Sequence, residues 1–274
     1  MSKSLVQEQF GPNAANYVTS GVHAKGKSLQ RLVDLVKPEA DWQALDIATG
    51  GGHTAFAFAP HVKHVVASDL TPEMLTQVQG QVTERAIGNV STKIADAEAL
   101  PFDDGVFNLV TSRIAPHHFP DIPKFVSEVR RVLKDGGTFA LVDNAAPDEM
   151  TNPGIDADAL AKAAETYNTF EKIRDPSHNR AWTASEWIAC VKETGFDVTH
   201  TEFLPKKMSF ATWIKNMSVP DEKVPGLLKM LEDAEPAFAA YAQPKREDDG
   251  DTSFMIAELL LIARKQLDIL NISN

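Results

Sequence analysis

Short apolar segments alternate with amphipathic segments through the first half of the chain. Apolar, often β-branched runs predict five buried strands, at 43–47, 64–68, 91–95, 106–111 and 138–143. Between them, helical patterns occur at 53–59, 71–86 and 121–133. Strands that alternate with helices in this way are typical of an α/β fold with a doubly wound, mostly parallel sheet.

Cap and turn residues mark the boundaries of these elements. Thr71 is a plausible helix N-cap because Pro72 follows at the first helical position. Asp121 begins a further helix, and the glycine-containing segment 134–137 predicts its stop and a turn before the fifth strand. Each boundary therefore has a local chemical reason.

The second half of the chain is more helical. Helices are predicted at 155–174 and 183–192, and strands at 196–203 and 253–263, which would complete a seven-stranded sheet. Two or three helices are expected between 209 and 241, with breaks at Pro220, Pro225 and Pro236. We therefore expect one domain over 1–274, with a helical lid insertion at 204–250 before the last strand.

Composition and charge narrow the function classes. The 274 residues, 43% of them hydrophobic, suit one globular domain with a full core. A formal net charge of −11 argues against a nucleic-acid partner. No apolar run is long enough to span a bilayer, no signal peptide is visible, and the single Cys190 fits a reducing compartment. We expect a cytoplasmic protein, and its oligomeric state is left open.

A glycine-rich loop, Asp46-Ile-Ala-Thr-Gly-Gly-Gly52, joins the first strand to the first helix. Glycine lacks a Cβ, so the backbone can turn tightly and allow a ligand to approach. The start of the following helix offers free N–H groups and a positive dipole end. Together with Asp69, the glycines also satisfy a relaxed dinucleotide fingerprint. An NAD(P)-dependent oxidoreductase is therefore an alternative.

Charged side chains follow several of the predicted strands. They are Asp46, Asp69, Asp96, Arg113 and Asp143. In parallel sheets, ligands bind at these carboxyl ends of the strands. A carboxylate at Asp46 would repel a pyrophosphate but would favour an ammonium and sulfonium ligand. Asp96 can accept a hydrogen bond from an adenine amino group. These acids favour a sulfonium cofactor over a dinucleotide.

Several ordered segments resemble the successive motifs of small-molecule S-adenosylmethionine methyltransferases. They are LDIATGGGHTA at 45–55, ASDLTPEM at 67–74, ADAEALPF at 95–102 and FNLV at 107–110. The segments SRIAPHHF at 112–119 and EVRRVLKDGG at 128–137 resemble the subgroup that includes the ubiquinone and menaquinone biosynthesis methyltransferases. The resemblance implies a class I, Rossmann-like fold and methyl transfer to carbon, oxygen or nitrogen of a small molecule.

The resemblance also implies which residues hold the cofactor, S-adenosylmethionine. Asp46 and the three glycines Gly50, Gly51 and Gly52 would hold its amino-acid end. Asp69 would accept hydrogen bonds from the ribose hydroxyls. These expectations place the amino-acid end of the cofactor after the first strand and its ribose after the second strand.

The remaining implied contacts surround the adenine and the methyl group. Leu70 and Met74 would pack near the adenine, and Asp96 and Ala97 would contact its edge. Arg113 would close the pocket near the transferred methyl group. The third and fourth strand ends would thus complete the cofactor site.

The N-terminal segment and one loop position need separate mention. Tyr17, within the segment 1–40, would help to cover the cofactor according to the resemblance. The family usually has glycine two residues after the first acid, where this chain has Ala48. Alanine adopts positive φ less readily than glycine, so the shape of the loop is in question.

Candidates for the chemistry follow the fourth predicted strand. His117 and His118 lie there, and histidine suits proton transfer near neutral pH, although either ring could simply cap a loop or pack on a helix. The aromatic residues could line an acceptor pocket or pack in the core; they are Tyr167, Phe170, Trp182, Trp187 and Trp213. No cysteine–histidine cluster has zinc spacing, so no metal is expected. A nucleic-acid methyltransferase and a noncatalytic cofactor-binding protein are further alternatives.

Overall fold

The computed structural model describes residues 5, 7, 8, 11 and 27–267. Tyr17 lies outside these residues, as does most of the N-terminal part of the segment 1–40. The role of Tyr17 and the expected cover over the cofactor therefore stay predictions.

Strands and helices alternate in the first half as predicted. The elements are α1 Lys27–Val36, β1 Gln43–Ile47, α2 His53–Phe58, β2 His64–Asp69, α3 Pro72–Glu84, β3 Val90–Ile94, β4 Phe107–Arg113, α4 Ile122–Val132 and β5 Leu133–Ala145. Short 3-10 turns follow α2 at Ala59–His61 and β4 at Pro116–His118. Asp121 caps α4, because its carboxylate accepts a hydrogen bond from the Lys124 amide.

The second half contributes two long strands and most of the remaining helices. The elements are α5 Ala157–Arg174, α6 Ala184–Glu193, β6 Phe196–Ser209, α7 Phe210–Asn216, α8 Val224–Glu232, α9 Pro236–Ala242, β7 Lys245–Arg246 and β8 Thr252–Lys265. Thr183 caps α6 in a reciprocal capping box with Glu186, which fixes where that helix begins.

The sheet has the order β3-β2-β1-β4-β5-β8-β6, and the two-residue strand β7 pairs with β8. The first five strands are parallel, whereas β8 is antiparallel to both β5 and β6. The expected seven-stranded, mostly parallel sheet is confirmed, with β7 as a short addition.

Alternate residues of the central strands point to opposite faces of the sheet, and each face carries a buried cluster. Val110 and Phe139 lie in one cluster, together with α4 and α6 residues. Leu109 and Ala140 lie in the other, which α1, α2 and α3 cover. Because helices cover both faces, the strand ends are left to form a site.

The helices α7, α8 and α9 pack with α5 around a third apolar cluster. Its aromatic members include Tyr167, Phe170, Trp213 and Phe238. The helical insertion between β6 and β8 is therefore anchored to α5 and lies beside the carboxyl ends of the strands.

The insertion differs from the sequence-based expectation at its ends. β6 continues to Ser209 because its residues 204–209 pair with β8, so the insertion begins at 210 and not at 204, whereas its first helix starts at Phe210, close to the expected 209. Pro225 and Pro236 do not break helices but lie in the first turns of α8 and α9. Proline is tolerated there because the first-turn N–H groups have no helical partner.

The segment 134–137, expected to be a turn, lies within β5. Leu133 already pairs with Phe107, and the register then shifts before Leu109 pairs with Thr138. Gly136 has a φ of 70°, which accommodates this irregular start. The glycines thus mark an irregular, bulged start of β5, because the chain passes directly from α4 into the sheet.

Candidate functional site

A cavity of about 610 Å³ lies at the carboxyl ends of the strands. Its wall comes from the loop after β1, the end of β2, the segments after β3 and β4, the end of α5, part of β6 and α7. β1 lies between β2 and β4, so the chain order reverses there. Such a switch point leaves a crevice, which explains the position of the cavity.

Asp46 lies buried at the base of this cavity. Its two carboxylate oxygens accept hydrogen bonds of 2.6 Å from the hydroxyls of Thr111 and Thr49. Burial raises the pKa of Asp46 to about 6, although these hydroxyls and the charge of Arg113 oppose the shift. A cation placed beside this carboxylate would lower its pKa again and favour the ionised form.

Three residues of the glycine-rich loop have left-handed backbone conformations: Ala48 at φ 53°, Gly50 at 52° and Gly52 at 82°. Ala48 thus adopts a backbone conformation that glycine occupies more readily. Gly52 does not line the cavity, in contrast to Gly50 and Gly51. A Cβ at Gly52 would lie 2.7 Å from the Phe56 ring, so glycine is needed there to let α2 begin.

Asp69 connects the glycine loop to the end of β2. Its carboxylate accepts hydrogen bonds of 2.9 Å from the amides of Gly50 and Thr71. Burial raises its pKa, and these amides oppose the shift. Leu70 and Met74 line the cavity next to it.

Asp96 and Ala97 lie just after β3 and also line the cavity. The Asp96 carboxylate accepts a hydrogen bond from the Glu98 amide at 3.0 Å, which holds the turn in place. The acids expected after the first three strands therefore meet at one cavity.

Arg113 ends β4 and lies in the middle of the cavity wall. Its Nε donates to the Thr54 hydroxyl at 3.2 Å. Burial lowers the pKa of Arg113, and the negative charges of Glu258 and Asp46 oppose the shift. Arg113 thus lies between one carboxylate at the glycine loop and another on β8.

His117 pairs with a buried carboxylate. Its Nδ1 lies 2.6 Å from an oxygen of Asp143, which is fully buried in β5. Burial lowers the pKa of His117, but the charge and hydrogen bond of Asp143, helped by Glu171 and Asp175, raise it above its ordinary value overall. His117 lines the cavity, whereas Asp143 supports it from behind.

His118 is different from its neighbour. Its Nδ1 lies 3.0 Å from the Ser177 carbonyl, and burial together with the charge on His117 lowers its pKa to about 3. His178, whose ring centroid is 5.5 Å from that of His117, has its pKa lowered to about 2 for the same reasons. Within this cluster of three rings, His117 is the one whose pKa is raised, because its ring lies directly beside the buried carboxylate of Asp143.

Comparison with known proteins agrees with this arrangement. A family profile described as a methyltransferase domain matches residues 45–141. The uncharacterized methyltransferase YcgJ of Bacillus subtilis is 34% identical over 253 residues, which cover 92% of this chain and 96% of that protein. This chain belongs to the class I S-adenosylmethionine-dependent methyltransferases.

A solved structure and a more distant relative extend the comparison. The crystal structure of YcgJ has a TM-score of 0.78 and 32% identity, and the match covers 88% of the methyltransferase described here and 98% of that chain. A ubiquinone/menaquinone biosynthesis C-methyltransferase of Zymomonas mobilis is 36% identical over 141 residues, or 49% of this chain and 57% of that protein. The NAD(P)-dependent alternative finds no support in these comparisons.

The methyltransferase has a second group of polar side chains that sequence reasoning did not assign to a site. They line the cavity beyond Arg113: Asn144, Glu171, Arg174, Asp175, Lys206, Thr212 and Asn216. They come from β5, α5, β6 and α7, so no local motif contains them. The tertiary fold brings them together.

The aromatic residues proposed for an acceptor pocket mostly lie elsewhere. Trp213 lines the cavity, but Tyr167, Phe170, Trp182 and Trp187 do not. The Trp213 ring stacks on Phe170 at 4.4 Å with an interplanar angle of 11°, and the guanidinium of Arg174 lies 4.8 Å from its centroid. Trp213 is therefore engaged within the protein and not an open stacking platform.

Two features of the described residues bear on the other expectations. No helix in that part of the chain is long and apolar enough to cross a membrane. No group of three histidine, cysteine, aspartate or glutamate side chains there could hold a metal ion. The expectation that no metal takes part stays a prediction.

Proposed function

We propose that this methyltransferase methylates a small molecule bound in the cavity, and that His117 removes the acceptor proton. The observation that carries the proposal is the buried pair of His117 and Asp143 in the wall of the cavity that also contains Asp46. A base held by a carboxylate beside a cofactor site suits methyl transfer to an acceptor that must lose a proton.

The residues of the glycine loop fit the amino-acid end of S-adenosylmethionine. Asp46 supplies a carboxylate for an ammonium group, and the side chains that donate hydrogen bonds to it, Thr49 and Thr111, are neutral. A Cβ built at Gly50 meets nothing within 4 Å, so the backbone there is open to a ligand. We assign Asp46, Gly50 and Gly51 to direct contact, and Gly52 to the shape of the loop.

The next strand ends fit the nucleoside. Each Asp69 oxygen accepts one amide hydrogen bond and keeps lone-pair capacity for ribose hydroxyls. Asp96 and Ala97 would contact the adenine edge, and Leu70 and Met74 would pack against the ring.

Arg113 would lie near the transferred methyl group, because it separates the glycine loop from the second half of the cavity. When bound, S-adenosylmethionine supplies the methyl group in an activated sulfonium form. The protein's main tasks are then to align the acceptor and to exclude water.

Asp143 defines which nitrogen of His117 is available. A carboxylate accepts only, so Nδ1 of His117 donates to Asp143 and Nε2 is left as the base. Nε2 of His117 would take the proton that the acceptor atom loses when it is methylated. His118 instead donates from Nδ1 to the Ser177 carbonyl and would position the loop.

A His117→Gln substitution tests the base. We expect kcat to fall by about 10²-fold to 10⁴-fold, because proton removal by a positioned base contributes that much. The measurement is transfer of a labelled methyl group to a panel of phenols, hydroquinones, amines and carboxylic acids. The affinity for S-adenosylhomocysteine, measured by calorimetry, should stay within about twofold of wild type.

His118→Gln is the matched control and should lower kcat much less, since the ring of His118 is neutral and tied to a backbone carbonyl. Asp143→Asn should lower kcat and also shift the acidic limb of the pH–rate profile to lower pH, because Asp143 raises the pKa of the base His117. Unchanged turnover in His117→Gln would contradict the proposal.

A further inference from the structure

Lys206 points to a binding site in the half of the cavity beyond Arg113. Its Nζ lies 2.9 Å from an oxygen of Glu258, and Glu258 is only 5% exposed. Lys206 lines the cavity, whereas Glu258 lies behind the wall. An ammonium group has three donors, so one bond to Glu258 leaves others for a ligand.

Asn144 lies on the same part of the sheet. It is the direct partner of Glu258 in the β5–β8 register, so both side chains share one face. Asn144 is 7% exposed and lines the cavity, and its Oδ1 has no hydrogen-bond partner among the described residues. A buried amide oxygen without a partner is unfavourable, and a half turn of the amide would present donors to a ligand instead. Asn144 therefore indicates a ligand at this position.

The charges at this wall favour an anion. Arg113 and Lys206 both act on the single buried carboxylate of Glu258. Arg113 also faces Asp46, so the two cations have two acids in the free protein. Once the ammonium group of the cofactor engages Asp46, Arg113 and Lys206 leave a positive excess beside Glu258. On the opposite wall, by contrast, Arg174 pairs with Glu171 and the Asp175 carboxylate lies nearby. An anionic group would therefore prefer the side of Lys206.

The position of Lys206 in the sheet separates its ligand from the cofactor. The residues assigned to the cofactor follow β1, β2 and β3, whereas Lys206 lies on β6. β6 is three strands from β4, or about 14 Å at the usual strand spacing. The group that Lys206 contacts would thus belong to the acceptor.

We propose that Lys206 and Asn144 bind a carboxylate of the methyl acceptor, which makes the substrate a small carboxylic acid. The single positive charge of Lys206, beside the neutral amide of Asn144, suits a ligand group with one negative charge. Nearby Met208, Met217 and Ile256 offer an apolar wall for the body of the molecule. This inference rests on the proposed function, because it takes this half of the cavity as the acceptor site.

The experiment uses protein saturated with S-adenosylhomocysteine and matched pairs of probes. The probes are benzoate and benzamide, phenylacetate and phenylacetamide, and octanoate and octanamide, followed by ligand-observed NMR and calorimetry. We expect at least one carboxylate to bind about tenfold more tightly than its amide. No carboxylate preference in any of the three pairs would overturn the inference.

Substitutions test whether Lys206 causes the preference for carboxylates over amides. Lys206→Met should abolish it, with unchanged affinity for S-adenosylhomocysteine. Because this variant leaves Glu258 unpaired, the double variant Lys206→Met with Glu258→Gln restores neutrality and should fold like wild type, yet should still lack the preference. Lys207→Met is the control, since Lys207 is exposed and pairs with Glu247 instead.

The outcomes are distinct. If the double variant regains the carboxylate preference, Lys206 only neutralises Glu258 and the inference fails. If Lys206→Met weakens S-adenosylhomocysteine instead, the anion is the cofactor's and the inference also fails. A wild-type protein that shows the Lys206-dependent preference but transfers no methyl group would contradict the proposed function alone.

Discussion

Ala48 adopts a left-handed backbone conformation, which glycine usually occupies. Its φ is 53°, and it lines the cavity directly after β1. A residue with a Cβ is destabilised by about 1–2 kcal/mol in the left-handed region. Replacement by glycine would recover only part of this energy, because an unfolded glycine has more conformational freedom to lose on folding. The loop therefore keeps its shape against local strain.

Ala48→Gly should consequently stabilise the protein by about 0.5–1 kcal/mol. The check is thermal unfolding, in which the Tm should rise by a few degrees. Ala86→Gly is the matched control: Ala86 also has a positive φ of 52° but does not line the cavity. A lower Tm for Ala48→Gly, with a higher one for Ala86→Gly, would show that the alanine methyl group is needed.

Asp46 should make cofactor affinity depend on pH. Burial raises its pKa to about 6, so acidification neutralises it and removes its attraction for an ammonium group. We expect S-adenosylhomocysteine to bind about tenfold more weakly at pH 5 than at pH 7, as measured by calorimetry. Asp46→Asn should bind weakly at both values, and an equal pH dependence in this variant would assign the effect to another group.

Sequence patterns identify a residue when its role depends on local geometry. Asp46, Asp69 and His117 each follow or end a strand, and the structure places all three at one cavity. Asp143 was visible only as a strand-end acid, and nothing local indicated that it supports His117. Lys206 had no local signal, because its role depends on Glu258 52 positions away.

At the scale of elements, α7 is held over the cavity by an aromatic stack. Trp213 lies between Phe170 of α5 and the guanidinium of Arg174, and it is buried. Because α7 has only seven residues, its own hydrogen bonds cannot hold it in place. Packing against α5 determines its position.

Trp213→Ala should therefore destabilise the protein by about 3–5 kcal/mol, as large-to-small changes in a core do. Thermal unfolding measures the loss, and limited proteolysis should show earlier cleavage within 210–242. Trp213→Phe keeps an aromatic ring on Phe170 and should lose much less. Equal stability of Trp213→Ala and wild type would mean that the stack does not anchor α7.

The elements differ in how well their ends could be predicted. β1 was predicted to the residue, because its apolar residues Ala44, Leu45 and Ile47 lead directly into the glycine-rich loop that marks its end. β6 was predicted to stop at 203, yet it reaches Ser209. Lys206 and Lys207 are not typical strand residues, and only pairing with β8 keeps them extended.

At the scale of the whole molecule, the buried histidines should make stability depend on pH. The pKa of His178 is lowered to about 2, first by burial and then by the charges of His117 and His118. Unfolded histidine takes up a proton below about pH 6.5, whereas folded His178 does not. Acidification therefore favours the unfolded state, and this contribution to stability is present above pH 6.5 and lost below it.

Between pH 6.5 and 5, wild type should lose roughly 2 kcal/mol more unfolding free energy than His178→Gln. Urea unfolding at both pH values measures the difference. Gln can keep the hydrogen bond that His178 Nε2 makes to Asn168, and it does not titrate. The comparison also cancels the opposing contributions of Asp46 and His117, whose raised pKa values favour the folded state on acidification. An equal loss in both proteins would contradict the buried, neutral state of His178.

The sequence alone determined the alternating strands and helices, the glycine loop and the acids that we propose as contacts of the cofactor. These features depend on residues close together in the chain, where periodicity and turn chemistry act directly. Only the tertiary structure decided how Asp143 supports His117, how Trp213 is stacked, and that Lys206 meets Asn144 at one cavity. Those contacts join residues far apart in sequence, and burial gives them much of their effect on charge, because removal of water raises the pKa of a carboxylate and lowers that of an imidazole.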